Sequence, residues 1–126
     1  MKPKKPLLYL ASPYTIGDVG MNVHYHLKVF DRILADKRVT PVAPLWAHFQ
    51  HTAFPQPCST WIRHSLEIAS RCDMCLRFSV SGPNDYIQNI SKGADLEVEQ
   101  FLFEGKPVFY SIQELFSYLD KGASHA

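Results

Sequence analysis

Val39-Thr40-Pro41-Val42-Ala43 reads as a β-strand with a proline at its centre, and that proline decides where the strand lies. Proline has no N–H to give to a ladder, so the run belongs at a sheet edge or a bulge and not between two partners. Outward from it, Leu7 to Leu10, Met74 to Phe78 and Pro107 to Tyr110 are apolar runs of strand character. Between them lie segments of helical period. From about Asn22 the apolar positions Val23, Leu27, Phe30 and Leu34 recur every three or four residues. Ser59 or Thr60 is placed to cap a helix whose buried stripe is Ile62, Leu66 and Ala69, and Trp61 in its first turn is read as packing in preference to pocket lining. Gly93 to Glu104 is a helix stopped by Gly105, and Gln113 to Leu119 is a closing helix.

Strands alternating with helices call for a mostly parallel sheet with helices on both faces. The expected fold is a flavodoxin-like three-layer α/β/α domain with strand order 2-1-3-4, extendable by a fifth strand. That order puts the Pro41 strand at an edge and the ligand crevice at the carboxyl ends of strands one and three. Ser12 to Gly20 and Ser79 to Asn89 read as loops. Leu45 to Pro57 is read as a loop with a helical turn, and its Trp46, His48, Phe49, His51 and Phe54 suit the lining of a pocket. Residues 1–6 form a lysine- and proline-rich arm, 7–120 a single domain, and 121–126 a frayed tail.

Bulk properties narrow the function classes. A chain of 126 residues fills one domain. Its net charge of +1 gives no reason to expect nucleic acid or an anionic membrane as partner. No apolar run reaches the roughly 20 residues that span a bilayer. Three cysteines, Cys58, Cys72 and Cys75, suggest a reducing compartment, hence the cytoplasm. Cys72 and Cys75 have a redox-motif spacing but lead into a strand, where an odd spacing turns the sulfurs to opposite faces. His24 and His26 diverge on a helix, and His48 and His51 lack further ligands, so no metal is expected. Neither a dinucleotide-binding nor a P-loop glycine pattern occurs, and no organic cofactor is expected.

The stretch with most chemistry is Ser91-Lys92-Gly93-Ala94-Asp95-Leu96-Glu97. A small polar loop opens a helix and, on this reading, delivers Glu97 to its first turn, where unpaired N–H groups favour the ionised form. Glu97 lies beside the stripe Ala94, Val98 and Phe101 that should face the sheet, and Glu99 points away. Such a carboxylate can attack carbon or act as a base. Leu96, Gln100 and Phe103 make a narrower stripe on the opposite face, suited to contact with a second subunit.

Tyr9-Leu10-Ala11-Ser12-Pro13-Tyr14, Pro41 to Pro44, Arg71-Cys72-Asp73-Met74-Cys75, Ser91 to Glu97 and Gly105-Lys106-Pro107-Val108 together resemble successive landmarks of the nucleoside 2-deoxyribosyltransferase-like superfamily. The resemblance covers roughly Leu7 to Tyr110, and its most specific element is Ser-x-Gly-x-x-x-Glu. It implies cleavage of the N-glycosidic bond of a nucleoside or nucleoside 5′-monophosphate, with Glu97 as nucleophile and a covalent glycosyl intermediate resolved by water or another base. It further implies that Tyr9 orients Glu97, that Asp73 moves the leaving-group proton, and that Ser12, Tyr14, Trp46 and His48 contact substrate. Transferases of this type tend to carry an aspartate where this chain has Ser91, a difference shared with nucleotide N-hydrolases. On that comparison Ser91, Gly93 and Lys92 would cradle a 5′-phosphate. The first loop lacks the arginine that such hydrolases often place there. Relatives assemble as dimers or larger, so a homo-oligomer through the Leu96 and Phe103 face is expected. The rival reading is a non-catalytic nucleotide-binding or sensing module on the same fold.

Overall fold

The computed structural model describes residues 4–124. The remaining parts of the expected arm and tail, 1–3 and 125–126, lie outside the described residues. Strands β1 (Leu7–Ala11), β2 (Thr40–Val42), β3 (Met74–Arg77) and β6 (Val108–Phe109) form one parallel sheet in the order β2-β1-β3-β6. This is the flavodoxin-like order that Pro41 demanded, because β2 is an edge and Pro41 pairs with Leu8 on its inner side.

Period-two alternation sorts the strands onto two cores. Leu8, Leu10, Met74, Leu76 and Phe109 face one side and pack with Val29 and Ile33 of helix α1 (Val19–Asp36) and Leu115 of α5 (Ile112–Ser124). Tyr9, Ala11 and Cys75 face the other and pack with Ala69 of α3 (Cys58–Ala69) and Ala94, Val98 and Phe101 of α4 (Lys92–Phe103). The sheet thus lies between two helical layers, each burying an apolar stripe.

Several boundaries differ from the sequence reading for identifiable reasons. Helix α1 begins at Val19, because Asp18 caps it by accepting from the Met21 N–H, and so Gly20 is helical and not loop. Its buried face is Asn22, Val23, His26, Val29 and Ile33, whereas Leu34 is exposed. The stripe is turned toward two polar residues that the apolar pattern could not select. The region after β2 forms a 3-10 turn (Pro44–Trp46) and a helix, α2 (Ala47–Ala53), where a loop was expected. Helix α3 starts at Cys58 after Pro57 with no side-chain cap, so neither Ser59 nor Thr60 serves as one. Helix α5 continues to Ser124, through most of the expected tail.

The segment read as a loop from Ser79 to Asn89 contains an antiparallel hairpin, β4 (Val80–Gly82) and β5 (Tyr86–Gln88). Asn84 and Asp85 both take positive φ, 58° and 60°, the pairing that a tight hairpin turn needs. Gly105, at φ 71°, ends α4 as expected: Lys106 N–H donates to the Phe101 carbonyl across it. Cys72 and Cys75 belong to the same buried cluster, not to opposite faces, since Cys72 precedes the strand and escapes its alternation. Burial pushes their thiols up to about 11 and about 12, which leaves them protonated and unreactive. Among the described residues no helix is long and apolar enough to cross a membrane.

Candidate active site

The carboxyl end of β1 opens into a cavity of about 560 Å³. Most of its walls come from four places: Leu10 of β1 with Ser12, Tyr14 and Ile16 after it; Ala47, His48 and His51 of α2; Cys58, Trp61, Ile62 and Ser65 of α3; and Ser91 with Lys92, Gly93, Ala94 and Glu97 at the start of α4. The volume falls within the range usual for small-molecule sites. Its position matches the crevice that the strand order predicts.

The loop from Ser12 to Asp18 is held from behind by α1. Asn22 is fully buried; its Nδ2 donates to the carbonyls of Tyr14 and Ile16 at 2.9 and 3.0 Å, and its Oδ1 accepts from Tyr86 of the hairpin at 2.9 Å. Tyr86 Oη in turn accepts from the Asp18 N–H. Gly17 lies under this tyrosine at φ 88°, where a Cβ would collide with Tyr86 Oη and come within 2.8 Å of Gln88 Nε2. One turn along α1, His26 Nδ1 is 2.7 Å from Ser12 Oγ. His26 has no solvent exposure, and burial lowers its pKa to about 3, so the imidazole is neutral.

The α2 wall is fixed by aromatic contacts. Tyr14 Oη and His48 Nδ1 are 2.7 Å apart with their rings edge to face, and burial raises the Tyr14 pKa, which keeps the phenol protonated. Trp61 Nε1 donates to His51 Nδ1 at 2.7 Å, and the Gln56 N–H donates to the same atom. The indole therefore stands as a fixed wall of the cavity.

Helix α4 supplies the fourth wall. Ser91 caps it, its Oγ accepting from the Ala94 N–H at 3.1 Å. Lys92 is exposed, and a Cβ added at Gly93 would meet nothing within 4 Å, so the helix start is open to a ligand. Glu97 stands in the second turn, not the first, which holds Asp95 instead. No free N–H reaches it there. Its Oε2 is buried with no hydrogen-bond partner among the described residues, and burial pushes the carboxyl up to about 8. The expectation of an ionised Glu97 is thereby reversed: with a carboxyl pushed up to about 8 it is mostly protonated at neutral pH.

Not every sequence-selected residue joins this group. Tyr9 is fully buried on the α4 side, its ring 5.9 Å from that of Phe101, and its hydroxyl has no partner among the described residues. The expected hydrogen bond from Tyr9 to Glu97 is absent. Asp73 lies at the amino end of β3, where its carboxylate accepts from the Leu7 N–H at 2.7 Å. The length of β1, roughly 13 Å for four residue steps, separates it from the cavity. Asp73 is not among the residues that line the cavity. Trp46 is half exposed, its ring tilted against that of Phe30 at 5.1 Å, and it lines a neighbouring cavity of about 520 Å³ beside β2 that shares Pro44, Ala47 and Trp61 with the candidate site. Trp61 takes the place in the candidate site that Trp46 was expected to fill.

Of the α3 wall, Trp61 was assigned to packing before pocket lining and Ile62 to the buried stripe, whereas Cys58 and Ser65 were missed. Cys58, Trp61, Ile62 and Ser65 recur at three- and four-residue spacing, and that mixed stripe was the available signal. Buried Arg77, also missed, ends β3 and donates to the carbonyls of Phe78 and Asn89 and to Asp95, which ties the hairpin to the start of α4. Among the described residues no group of three His, Cys, Asp or Glu side chains is placed to hold a metal ion. No family model matches the chain, and no curated protein matches it.

Proposed function

We propose that this cavity cleaves the N-glycosidic bond of a nucleoside or nucleoside 5′-monophosphate, as the resemblance of Tyr9 to Tyr14 and Ser91 to Glu97 to the nucleoside 2-deoxyribosyltransferase-like superfamily implies. The observation that carries the reading is the unpartnered, buried Oε2 of Glu97 in the wall of a nucleoside-sized cavity. A carboxyl desolvated without compensation destabilises the fold, and such groups cluster where chemistry needs them.

In the proposed reaction the Glu97 carboxylate bonds to C1′ of the sugar while the N-glycosidic bond breaks, its electron pair passing to the base, which takes up a proton. Water, or a second base, then attacks C1′, the ester bond breaks, and Glu97 leaves as the carboxylate. The fixed face of Trp61 suits contact with a flat heterocycle. The start of α4, with Ser91, Gly93 and Lys92, suits a 5′-phosphate. Because the attacking form is the ionised one, kcat/KM rises with pH toward about 8 on this reading.

Leu96 and Phe103 are exposed, Phe103 to 93%, on the outer face of α4, and the proposed enzyme is a homo-oligomer through that face. Gln100 is not part of it, since its Nε2 turns to the Leu66 carbonyl of α3. A light-scattering mass equal to one 14.4 kDa chain at micromolar concentration would refute the assembly.

The test is chromatographic detection of free base from ribo- and deoxyribonucleosides and their 5′-monophosphates, with and without an acceptor base. Release by the wild type and not by Glu97→Ala supports the reading. Thermal stabilisation by a nucleotide with no base released would favour the binding-module alternative.

A further inference from the structure

Ser12, which the resemblance names as a substrate contact, is paired with His26, a buried residue behind the cavity that neither the resemblance nor the proposed reaction uses. Their separation of 2.7 Å admits two arrangements. Either the serine O–H donates to Nδ1 and the imidazole proton sits on Nε2, or Nδ1–H donates to Oγ and Nε2 is bare. The surroundings of Nε2 choose between them, because that atom is buried with no hydrogen-bond partner among the described residues. A buried N–H without an acceptor is rarer in proteins than an acceptor left unfilled. The ring nearest His26 is Phe78, centroid to centroid 5.5 Å and tilted by only 35°. An N–H in the imidazole plane cannot point squarely into an aromatic face at that tilt, so Phe78 does not substitute for an acceptor.

We infer that His26 is a positioning residue that carries its proton on Nδ1, occupies a lone pair of Ser12 Oγ, and so turns the Ser12 O–H into the cavity as a hydrogen-bond donor to the ligand. Ser12 lines the cavity and His26 does not, so the histidine acts only through the serine. The ligand group recognised is an acceptor, such as a sugar or phosphate oxygen or an unprotonated ring nitrogen. A ligand N–H, which has only a proton to offer, is disfavoured there. A neutral imidazole is required, and complete burial keeps it neutral. This assignment rests on the cavity being the ligand site, but the tautomer itself does not depend on which reaction the cavity performs.

The decisive experiment is a long-range nitrogen–proton NMR correlation on the whole chain labelled with nitrogen-15, without ligand at pH 7. The expected result is a protonated Nδ1 and an unprotonated Nε2 for His26. A proton on Nε2 overturns the proposal. A second arm follows KM for base release from the best nucleoside monophosphate in Ser12→Ala, His26→Leu, His26→Asn and the Ser12→Ala/His26→Leu double variant. Asparagine keeps a donor near the Nδ1 position, so His26→Asn stays within about threefold of wild type. His26→Leu and Ser12→Ala each raise KM about tenfold, and the double variant raises it no further, as coupled groups do. Additive losses, or equal losses in His26→Asn and His26→Leu, overturn the donor role. If wild type releases no base, the proposed reaction fails while the NMR result still decides the tautomer.

Discussion

On the α1 side of the sheet, Asn22 is fully buried and engages every polar atom of its side chain, with two carbonyls and one tyrosine hydroxyl as partners. On the α4 side, Glu97 Oε2 and Tyr9 Oη are buried with none. Among the described residues the Asn22 side chain is closed and the Glu97 and Tyr9 atoms are open, and on α1 only His26 Nε2 shares their condition. A satisfied buried amide rigidifies a loop, whereas an unsatisfied carboxyl is a standing cost that the rest of the fold must offset. The contrast separates the scaffold of the site from the groups available for chemistry.

The largest expected effect tests the open side directly. Glu97→Ala should lower base release by about 10³-fold or more, the scale of losing a nucleophile that forms a covalent intermediate. Retention of more than a tenth of the wild-type rate would remove Glu97 from the mechanism.

Glu97→Gln probes the same carboxyl through stability. The folded-state pKa of about 8 lies above the unfolded value near 4.3, so the folded protein holds this proton more tightly. Stability contributed by neutral Glu97 is complete below about pH 4 and is lost progressively as pH rises to about 8, then levels off. Glutamine keeps the neutral shape and has no such loss. The difference in unfolding free energy between Glu97→Gln and wild type, measured by chemical denaturation, should be near zero at pH 4 and favour the variant by pH 9, by an amount on the order of a few kcal/mol. A pH-independent difference would mean that the carboxyl is solvated.

The closed side breaks differently. Asn22→Ala should destabilise by about 3 kcal/mol, because it strands two carbonyls and a tyrosine hydroxyl together. Chemical denaturation measures this, and a loss under about 1 kcal/mol would show that water replaces the amide at no cost.

These same residues explain what was legible in the sequence. Pro41 revealed the edge strand because its missing N–H has only one solution in a sheet. Gly105 revealed the end of α4, and Ala94, Val98 and Phe101 its buried face, because backbone sterics and apolar period act locally. Asn22 and His26 defeated the reading of α1, since a buried polar residue is recognisable only once its distant partners are known. Asn84-Asp85, an exposed local turn signal, was read only as loop, and Trp46 was chosen over Trp61, whose place in the cavity depends on how α2 and α3 meet. The ionisation of Glu97 was misjudged by one helical turn, enough to exchange N–H donors for desolvation.

Tyr9→Phe sharpens the comparison at smaller scale. Removing a buried hydroxyl with no partner should raise stability by about 1 kcal/mol without ligand, the opposite of removing a bonded one. If the hydroxyl orients Glu97 once substrate is bound, base release falls about tenfold in the same variant. A destabilised Tyr9→Phe would show that the hydroxyl is satisfied in solution, and would move Tyr9 to the closed group.

Asp73→Asn should have the smallest effect, and it divides the two ends of the sheet. The carboxylate accepts from the Leu7 N–H at the start of β1, and Asp73 N–H donates to the Leu7 carbonyl. Asparagine keeps an acceptor oxygen for that N–H and gives up only the charge, so the stability loss should stay near 1 kcal/mol or less. Activity should remain within about twofold of wild type, because a group at the amino ends of the strands has no path to a ligand at their carboxyl ends. A loss of a hundredfold in kcat with unchanged Tm would return Asp73 to the proton-transfer role and would require this end of the sheet to reach a substrate. Unchanged kcat leaves the leaving-group proton to groups already in the cavity wall, where Tyr14 and His48, 2.7 Å apart, join a phenol to an imidazole.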